Sequence, residues 1–184
     1  EVRGLLALLL FGASRLPARF APDGTLLLLG DQDRERWDLR RSSEAREHLR
    51  ICVAGGAAGP YQLQAAIQAV HAEAATLEQT DWARIVLLYD ELLARTGSPV
   101  VALNRAVALA ETAGPHAALA EVDGLDLPRY HPLHATRGEL LARLGRPIEA
   151  RAAFVRAAEL APAGAEREHL AARARSAGPG TAGA

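Results

Sequence analysis

Residues 131–164 read HPLHATRGELLARLGRPIEARAAFVRAAELAPAG, and this stretch indicates two helices joined by a short turn. Pro132 and Pro147 stand where helices begin, because proline is favoured in the first helical turn. Gly145 stands where the first helix should end. Apolar residues recur with helical spacing on both sides of the turn. The stretch therefore predicts an antiparallel helical hairpin.

This hairpin matches the signature of the tetratricopeptide (TPR) repeat, a unit of roughly 34 residues, without a gap. In that signature small residues let the paired helices approach, an aromatic ring fills the space between them, and a proline ends the unit. The matching positions are Gly138, Gly145, Ala150, Phe154, Ala157 and Pro162. Residues 99–130 form a degenerate copy, and residues 60–96 keep the helix-turn-helix length but little of the signature.

The composition predicts an all-α protein. The 184 residues include 40 Ala and 29 Leu but only 2 Trp, 3 Tyr and 3 Phe, so strong helix formers dominate and strand-favouring aromatics are scarce. Proline residues at expected helix starts and glycine residues at expected helix ends then divide the chain. The expected helices cover about 2–13, 39–54, 60–78, 82–95, 99–112, 115–122, 132–144, 147–160 and 163–176.

The expected organisation has three parts. Residues 1–50 form an N-terminal helical region with an irregular stretch at 17–38, which contains a turn signal at Pro22 to Gly24. Residues 51–176 form antiparallel helical hairpins in a TPR-like right-handed solenoid, closed by the last helix. Residues 177–184 form a small-residue, turn-rich tail that we expect to be disordered.

The charge balance predicts no direct binding of nucleic acid by this chain. Its 21 basic residues, all Arg, stand against 22 acidic residues and give a net charge of −1. A domain that holds a phosphate backbone by itself usually carries a basic excess. Residues 5–11 (LLALLLF) are too short to cross a bilayer, which needs about 20 apolar residues, and are expected to be a buried helix. We therefore expect a cytoplasmic protein without a membrane partner.

Catalytic and metal-binding motifs are absent from the sequence, which predicts a protein that is not an enzyme and holds no cofactor or metal. The single cysteine, Cys52, excludes an intramolecular disulfide and a Cys-rich zinc site. His131 and His134 lie three residues apart, and His71 lies near Glu73, but neither pair has the further ligands that a metal needs.

A TPR-like array offers a groove lined by the first helix of each hairpin. Polar residues at helical spacing on those helices are the candidate partner-binding residues, although an ordinary solvated helix face explains them about as well. The candidates are Gln64, Gln68, His71, Asn104, Glu139 and Arg143.

Two phrases of the sequence carry a more specific resemblance. The first is DQDRERWD at 31–38, after an Asp-Gly turn and a leucine run. The second is GPYQLQAAIQAVHAE at 59–73, followed by TDW at 80–82 and SPVVALNRAV at 98–107. Together they resemble the C-terminal extension of a group of extracytoplasmic-function (ECF) sigma factors of bacterial RNA polymerase. The resemblance runs from about residue 1 to about residue 170.

The resemblance implies a function in transcription initiation and its regulation. In that group two sigma domains, which bind the polymerase core and read promoter DNA, precede a helical region and a TPR-like domain. The implied partners are the RNA polymerase core, the upstream sigma domains of the same polypeptide, and a regulatory protein or peptide. Because the chain contains no Met, we expect Glu1 not to be the natural start.

Two other hypotheses remain open on the sequence. One is a free-standing TPR-like adaptor that binds a peptide of an unrelated partner. The other is a hydrolase or transferase with a His-Glu site. A helix-turn-helix encoded directly before Glu1 would favour the sigma-factor extension over the free-standing adaptor.

Overall fold

The structure is a computed structural model that describes residues 1–53 and 58–177. Within those residues it is all-helical, with nine α-helices and three short 3₁₀ helices. The α-helices are α1 (Val2–Ser14), α2 (Leu39–Val53), α3 (Pro60–Glu73), α4 (Trp82–Thr96), α5 (Pro99–Thr112), α6 (Pro115–Asp123), α7 (His131–Arg143), α8 (Pro147–Leu160) and α9 (Ala165–Ser176). The 3₁₀ helices are Leu16–Ala18, Leu29–Asp31 and Arg34–Arg36.

The chain divides into two compact units, Glu1–Val101 and Ala102–Ala184, with the division inside α5. In the first unit α1 packs against α2 and α3, and α3 packs against α4. The core between the first three helices is built from small residues around one ring, with Phe11 and Ala7 from α1, Ala45 from α2, and Ala65 and Ala69 from α3. α3, which the sequence analysis assigns to the region after residue 50, thus shares a core with α1.

In the second unit α7 packs against α6 and α8, and α8 packs against α9. Phe154 of α8 is almost fully buried, and Ala150 and Ala157, one turn before and one turn after it, are buried as well. Gly145 closes the turn after α7 with φ at +69°, a left-handed conformation that glycine adopts without steric cost. The predicted helical hairpin is therefore confirmed, and α8 ends at Leu160, two residues before Pro162.

The observed helix boundaries lie close to those predicted from proline and glycine positions, with one exception. α3 is predicted to reach residue 78 but ends at Glu73, because Ala74 is extended. The Arg34 side chain donates hydrogen bonds of 2.7 Å to the carbonyl oxygens of both His71 and Ala74. These carbonyls, left open at a helix end, thereby find a partner outside the helix.

The irregular stretch before α2 folds as predicted around its turn signal. Gly24 has φ at +85°, and the Asp23 carboxylate accepts a 2.9 Å hydrogen bond from the Thr25 amide. Phe20 and Leu26 form an isolated antiparallel bridge across this turn. The predicted disordered tail, apart from residue 177, lies outside the described residues. No helix in the described part of the chain combines the length and apolar character needed to cross a membrane.

Candidate functional site

The first candidate surface is an exposed apolar face on α1. Residues at positions 4, 7, 11 and 14 of the chain face inward, whereas the opposite face carries Val2, Leu5, Leu6 and Leu9. Val2 is 85 % exposed and Leu9 is 61 % exposed. A helix that is apolar on all sides normally lies buried on all sides, so this face is suited to contact another protein surface.

Sequence reasoning missed these residues because it took the whole run at 5–11 as core. The helix is confirmed, but its burial is one-sided: Phe11 and Ala7 are buried, while Leu6 remains 41 % exposed. The signal in the sequence is that apolar residues fill both faces of the helix, at 2, 5, 6 and 9 as well as at 4, 7 and 11.

The second candidate region is the phrase at residues 31–38, and most of its side chains act within the fold. The Asp33 carboxylate caps a 3₁₀ helix by accepting a hydrogen bond of 3.0 Å from the Glu35 amide. The Asp38 carboxylate accepts a hydrogen bond of 3.1 Å from the Arg41 amide at the start of α2. Arg36 donates to the carbonyl oxygen of Pro17. The phrase therefore fixes the loop between α1 and α2.

Trp37 is the centre of this loop and is only 6 % exposed. The guanidinium of Arg34 lies 5.1 Å from the centre of its ring, and that of Arg15 lies 6.0 Å away. Guanidinium groups are attracted to the negative faces of aromatic rings. The indole Nε1 is buried without a hydrogen-bond partner among the described residues.

His71 joins the same region from the end of α3. Its ring meets that of Trp82 edge-on at 5.3 Å, and its Nδ1 atom is buried without a partner in the described part of the chain. Burial, with smaller contributions from the Arg15 and Arg34 charges, lowers the pKa of His71 to about 4. The imidazole is therefore neutral at physiological pH.

The predicted partner-binding residues of the first unit are only partly available at the surface. Gln64 is half-buried, and its amide nitrogen donates to the Pro60 carbonyl at 3.3 Å. Gln68 is also half-buried, with its Oε1 atom out of reach of solvent. His71 is only 8 % exposed, so the prediction that its side chain faces a partner in the groove is corrected here to a buried position. It packs against Trp82, a neighbour that spacing on α3 alone does not indicate.

In the second unit Asn104 is exposed on α5, whereas the other two candidates, both on α7, are engaged with neighbouring helices. Glu139 pairs with Arg173 of α9, and Arg143 pairs with Glu111 of α5 at 2.5 Å. These two ion pairs tie α7 to its neighbours. That Asn104, Glu139 and Arg143 bind a partner stays a prediction.

The histidine pair at the start of α7 does not converge on a common point. His131 Nε2 lies 3.1 Å from a Glu166 carboxylate oxygen, whereas His134 Nε2 lies 3.0 Å from the Pro128 carbonyl oxygen. Over residues 1–53 and 58–177, no three His, Cys, Asp or Glu side chains cluster as metal ligands would. Cys52 is buried near the end of α2.

Comparison with known proteins gives two matches. Residues 1–53, which end with α2, match the model of a family of unknown function, DUF6596. An uncharacterized protein of Rhizobium meliloti (strain 1021) is 48 % identical over 172 residues, which make up 92 % of this chain and 41 % of that protein. The chain thus spans less than half the length of this relative. No solved structure matches the chain.

Proposed function

We propose that this chain is the non-catalytic C-terminal region of an ECF-type sigma factor and that it acts in the cytoplasm on transcription initiation. The supporting observation joins the two phrases that carry the resemblance. Arg34 of the first phrase donates to the carbonyl oxygen of His71 in the second phrase and to that of Ala74 directly after it, at 2.7 Å each. The two phrases are thus hydrogen-bonded to each other in the fold, although Arg34 lies 37 positions before His71 in the sequence.

The apolar face of α1 supports a role in protein interaction. Val2, Leu5, Leu6 and Leu9 form a continuous stripe, because positions three and four apart share one side of a helix. We assign this stripe to contact with the upstream sigma domains of the same polypeptide. The contact would couple the C-terminal region to polymerase binding, and the stripe would be buried in the complete protein.

The helical hairpin of α7 and α8 supports the finer proposal that the hairpins are TPR-like. Gly138 has no Cβ atom and so leaves room for the ring of Phe154, and Ala150 and Ala157, one turn before and one turn after that ring, are buried. These are the packing roles that the TPR signature assigns to those positions. A partner peptide or regulator would then bind to polar faces of the hairpins, such as the one that bears Asn104.

The first test is the coding sequence directly before Glu1. We expect it to encode two sigma domains, the second ending in a helix-turn-helix. A start codon or an unrelated domain at that place would overturn the proposal and favour a free-standing adaptor.

The second test is transcription by the full-length protein with core RNA polymerase on its own promoter. The double variant Leu6→Asn/Leu9→Asn should melt at the same temperature as the wild type, because both side chains are exposed, but should change transcript yield about fivefold or more. Leu87→Asn/Ile148→Asn is the matched control, since these leucine and isoleucine residues are 68 % and 75 % exposed on other helices. Equal transcript yields from all three proteins would remove α1 from the proposal.

A further inference from the structure

A groove in the second unit runs between α8 and α9 and has a volume of about 460 Å³. The same spacing recurs on both helices, at positions i, i+4, i+7 and i+8, so each helix contributes one face. The lining residues are Arg151, Val155, Ala158 and Glu159 from α8, and Arg167, Ala171, Ala174 and Arg175 from α9.

The floor of this groove is apolar and shallow. Val155 is 42 % exposed, and the other floor residues are alanines at 158, 171 and 174. Because these side chains are short, they leave room between the helices for apolar side chains of another segment. The floor has no aromatic ring, and stacking on such rings is how proteins commonly hold unpaired bases.

Three of the ten arginines in residues 102–177 engage no carboxylate or carbonyl oxygen of a described residue; two of them, Arg151 and Arg175, line the groove, and the third is Arg129 outside it. Six of the ten arginines in residues 102–177 pair with carboxylates, and Arg167 donates to the Ala161 carbonyl. Arg151 and Arg175 form neither an ion pair nor a hydrogen bond with any described residue. Glu159 is the acid at the groove, and Arg156 already lies 3.1 Å from it.

The two uncompensated arginines lie at the same end of the groove. α8 and α9 pack together and are joined by residues 161–164, the arrangement of an antiparallel helical hairpin. The second turn of α8, with Arg151, therefore lies beside the last turn of α9, with Arg175. One end of the groove thus carries two uncompensated arginines, whereas the other end carries Glu159 and Arg167, which already have partners.

We propose that this groove docks an amphipathic helix of a partner protein, with small apolar side chains on the floor and carboxylates against Arg151 and Arg175. Charge complementarity selects this occupant, because guanidinium groups bind carboxylates through paired hydrogen bonds. A second copy of this chain that docked groove against groove fits less well, because it would place the same arginines opposite each other. Its acid at the groove, Glu159, is already held by Arg156. This surface shares no residue with α1 and does not depend on the sigma-factor proposal.

The test uses the whole chain and two labelled synthetic peptides of about 15 residues, near the length at which an isolated helix becomes stable. Both peptides carry Ala and Leu along one face; one carries three Glu at one end, and the other carries Lys at those places. Fluorescence anisotropy at low salt should show the Glu peptide binding at least about tenfold more tightly than the Lys peptide. Equal affinity for the two peptides would overturn the proposal.

Charge reversal makes the test specific. Arg151→Glu/Arg175→Glu should reverse the preference, so that the Lys peptide binds more tightly than the Glu peptide. The matched control is Arg40→Glu/Arg129→Glu, which changes the net charge equally at two exposed arginines outside the groove and should keep the wild-type preference. If the control weakens binding of the Glu peptide as much as the groove variant does, the groove is not the site.

A third variant separates the floor from the charges. Ala158→Leu/Ala171→Leu fills the floor while leaving every arginine in place, and it should weaken binding of the Glu peptide about tenfold or more. Unchanged binding by this variant would overturn the proposal even if the reversed variant failed to fold. A concentration-dependent dimer that Arg151→Glu/Arg175→Glu dissolves would also overturn it, in favour of a second copy as the occupant.

Discussion

Gly138 of α7 lies directly against the ring of Phe154 of α8: a Cβ atom at residue 138 would stand 2.9 Å from both Cδ1 and Cε1 of that ring. Real side chains do not approach so closely, so only glycine lets the two helices meet at this separation. Both residues are packing positions of the predicted repeat signature, and the structure brings them into contact. The pair fixes the distance between the two helices of the hairpin.

Phe154→Ala should destabilise the protein by about 3–5 kcal/mol, because the ring is 2 % exposed and its removal leaves a cavity between α7 and α8. The measurement is the free energy of unfolding from urea melts. A loss smaller than about 1 kcal/mol would mean that the ring is not in the core.

Gly138→Ala should also destabilise, by about 1–2 kcal/mol, since overpacking against the ring outweighs the better helix propensity of alanine. Gly12→Ala is the matched control in α1, where a Cβ meets nothing within 4 Å. It should stabilise the protein by up to about 1 kcal/mol. Stabilisation of equal size by both substitutions would contradict the close contact at residue 138.

Arg34→Gln should cost about 2–3 kcal/mol of stability. It removes a charged donor from two carbonyl oxygens at the end of α3 and a guanidinium from the face of Trp37. Arg40→Gln, at an exposed position on α2, is the control and should stay within about 0.5 kcal/mol of the wild type. The tryptophan fluorescence, to which Trp37 and Trp82 both contribute, should change with the first substitution and not with the second.

The isolated chain should bind a promoter duplex no more tightly than in non-specific DNA binding, which has a Kd of about 10⁻⁴ to 10⁻⁶ M at physiological salt. Its net charge is −1, and many of its arginines already pair with carboxylates. Fluorescence anisotropy at two salt concentrations measures this affinity. Submicromolar binding with a steep salt dependence would show a basic surface that the charge balance does not predict.

Local signals were enough to predict where most helices begin and end. Pro99, Pro115 and Pro147 each start a helix, because proline at the first position loses no helical hydrogen bond. The end of α3 was not predictable in this way. It depends on Arg34, which lies 37 residues earlier than His71 in the chain.

The candidate surfaces show the same limit. Helical spacing places Glu139 and Arg143 on one face of α7, but it does not reveal that Arg173 and Glu111 pair with them. Likewise, the periodicity of α1 shows two apolar faces without showing which one the fold covers. Both questions are decided by residues distant in sequence, and the local spacing of residues along one sequence carries no signal for such contacts.

The free energy of unfolding should fall on acidification because of His71. Its pKa in the folded protein is about 4, whereas an unperturbed histidine in the unfolded chain titrates near 6.5. Between these two values the unfolded chain binds a proton at this residue and the folded chain does not. The contribution of neutral His71 to the free energy of unfolding is therefore complete above about pH 6.5. It is lost as the pH falls toward 4, by an amount on the order of 3 kcal/mol.

His71→Phe should remove this dependence, since it keeps a ring beside Trp82 and abolishes the titrating group. Carboxylates also titrate near the lower limit, so the informative quantity is the difference in unfolding free energy between the variant and the wild type at each pH. That difference should grow in favour of the variant from about pH 6.5 downward. His116→Phe, at an exposed position on α6, is the control and should follow the wild type. Parallel curves for His71→Phe and the wild type would show that protonation of His71 does not limit stability in acid.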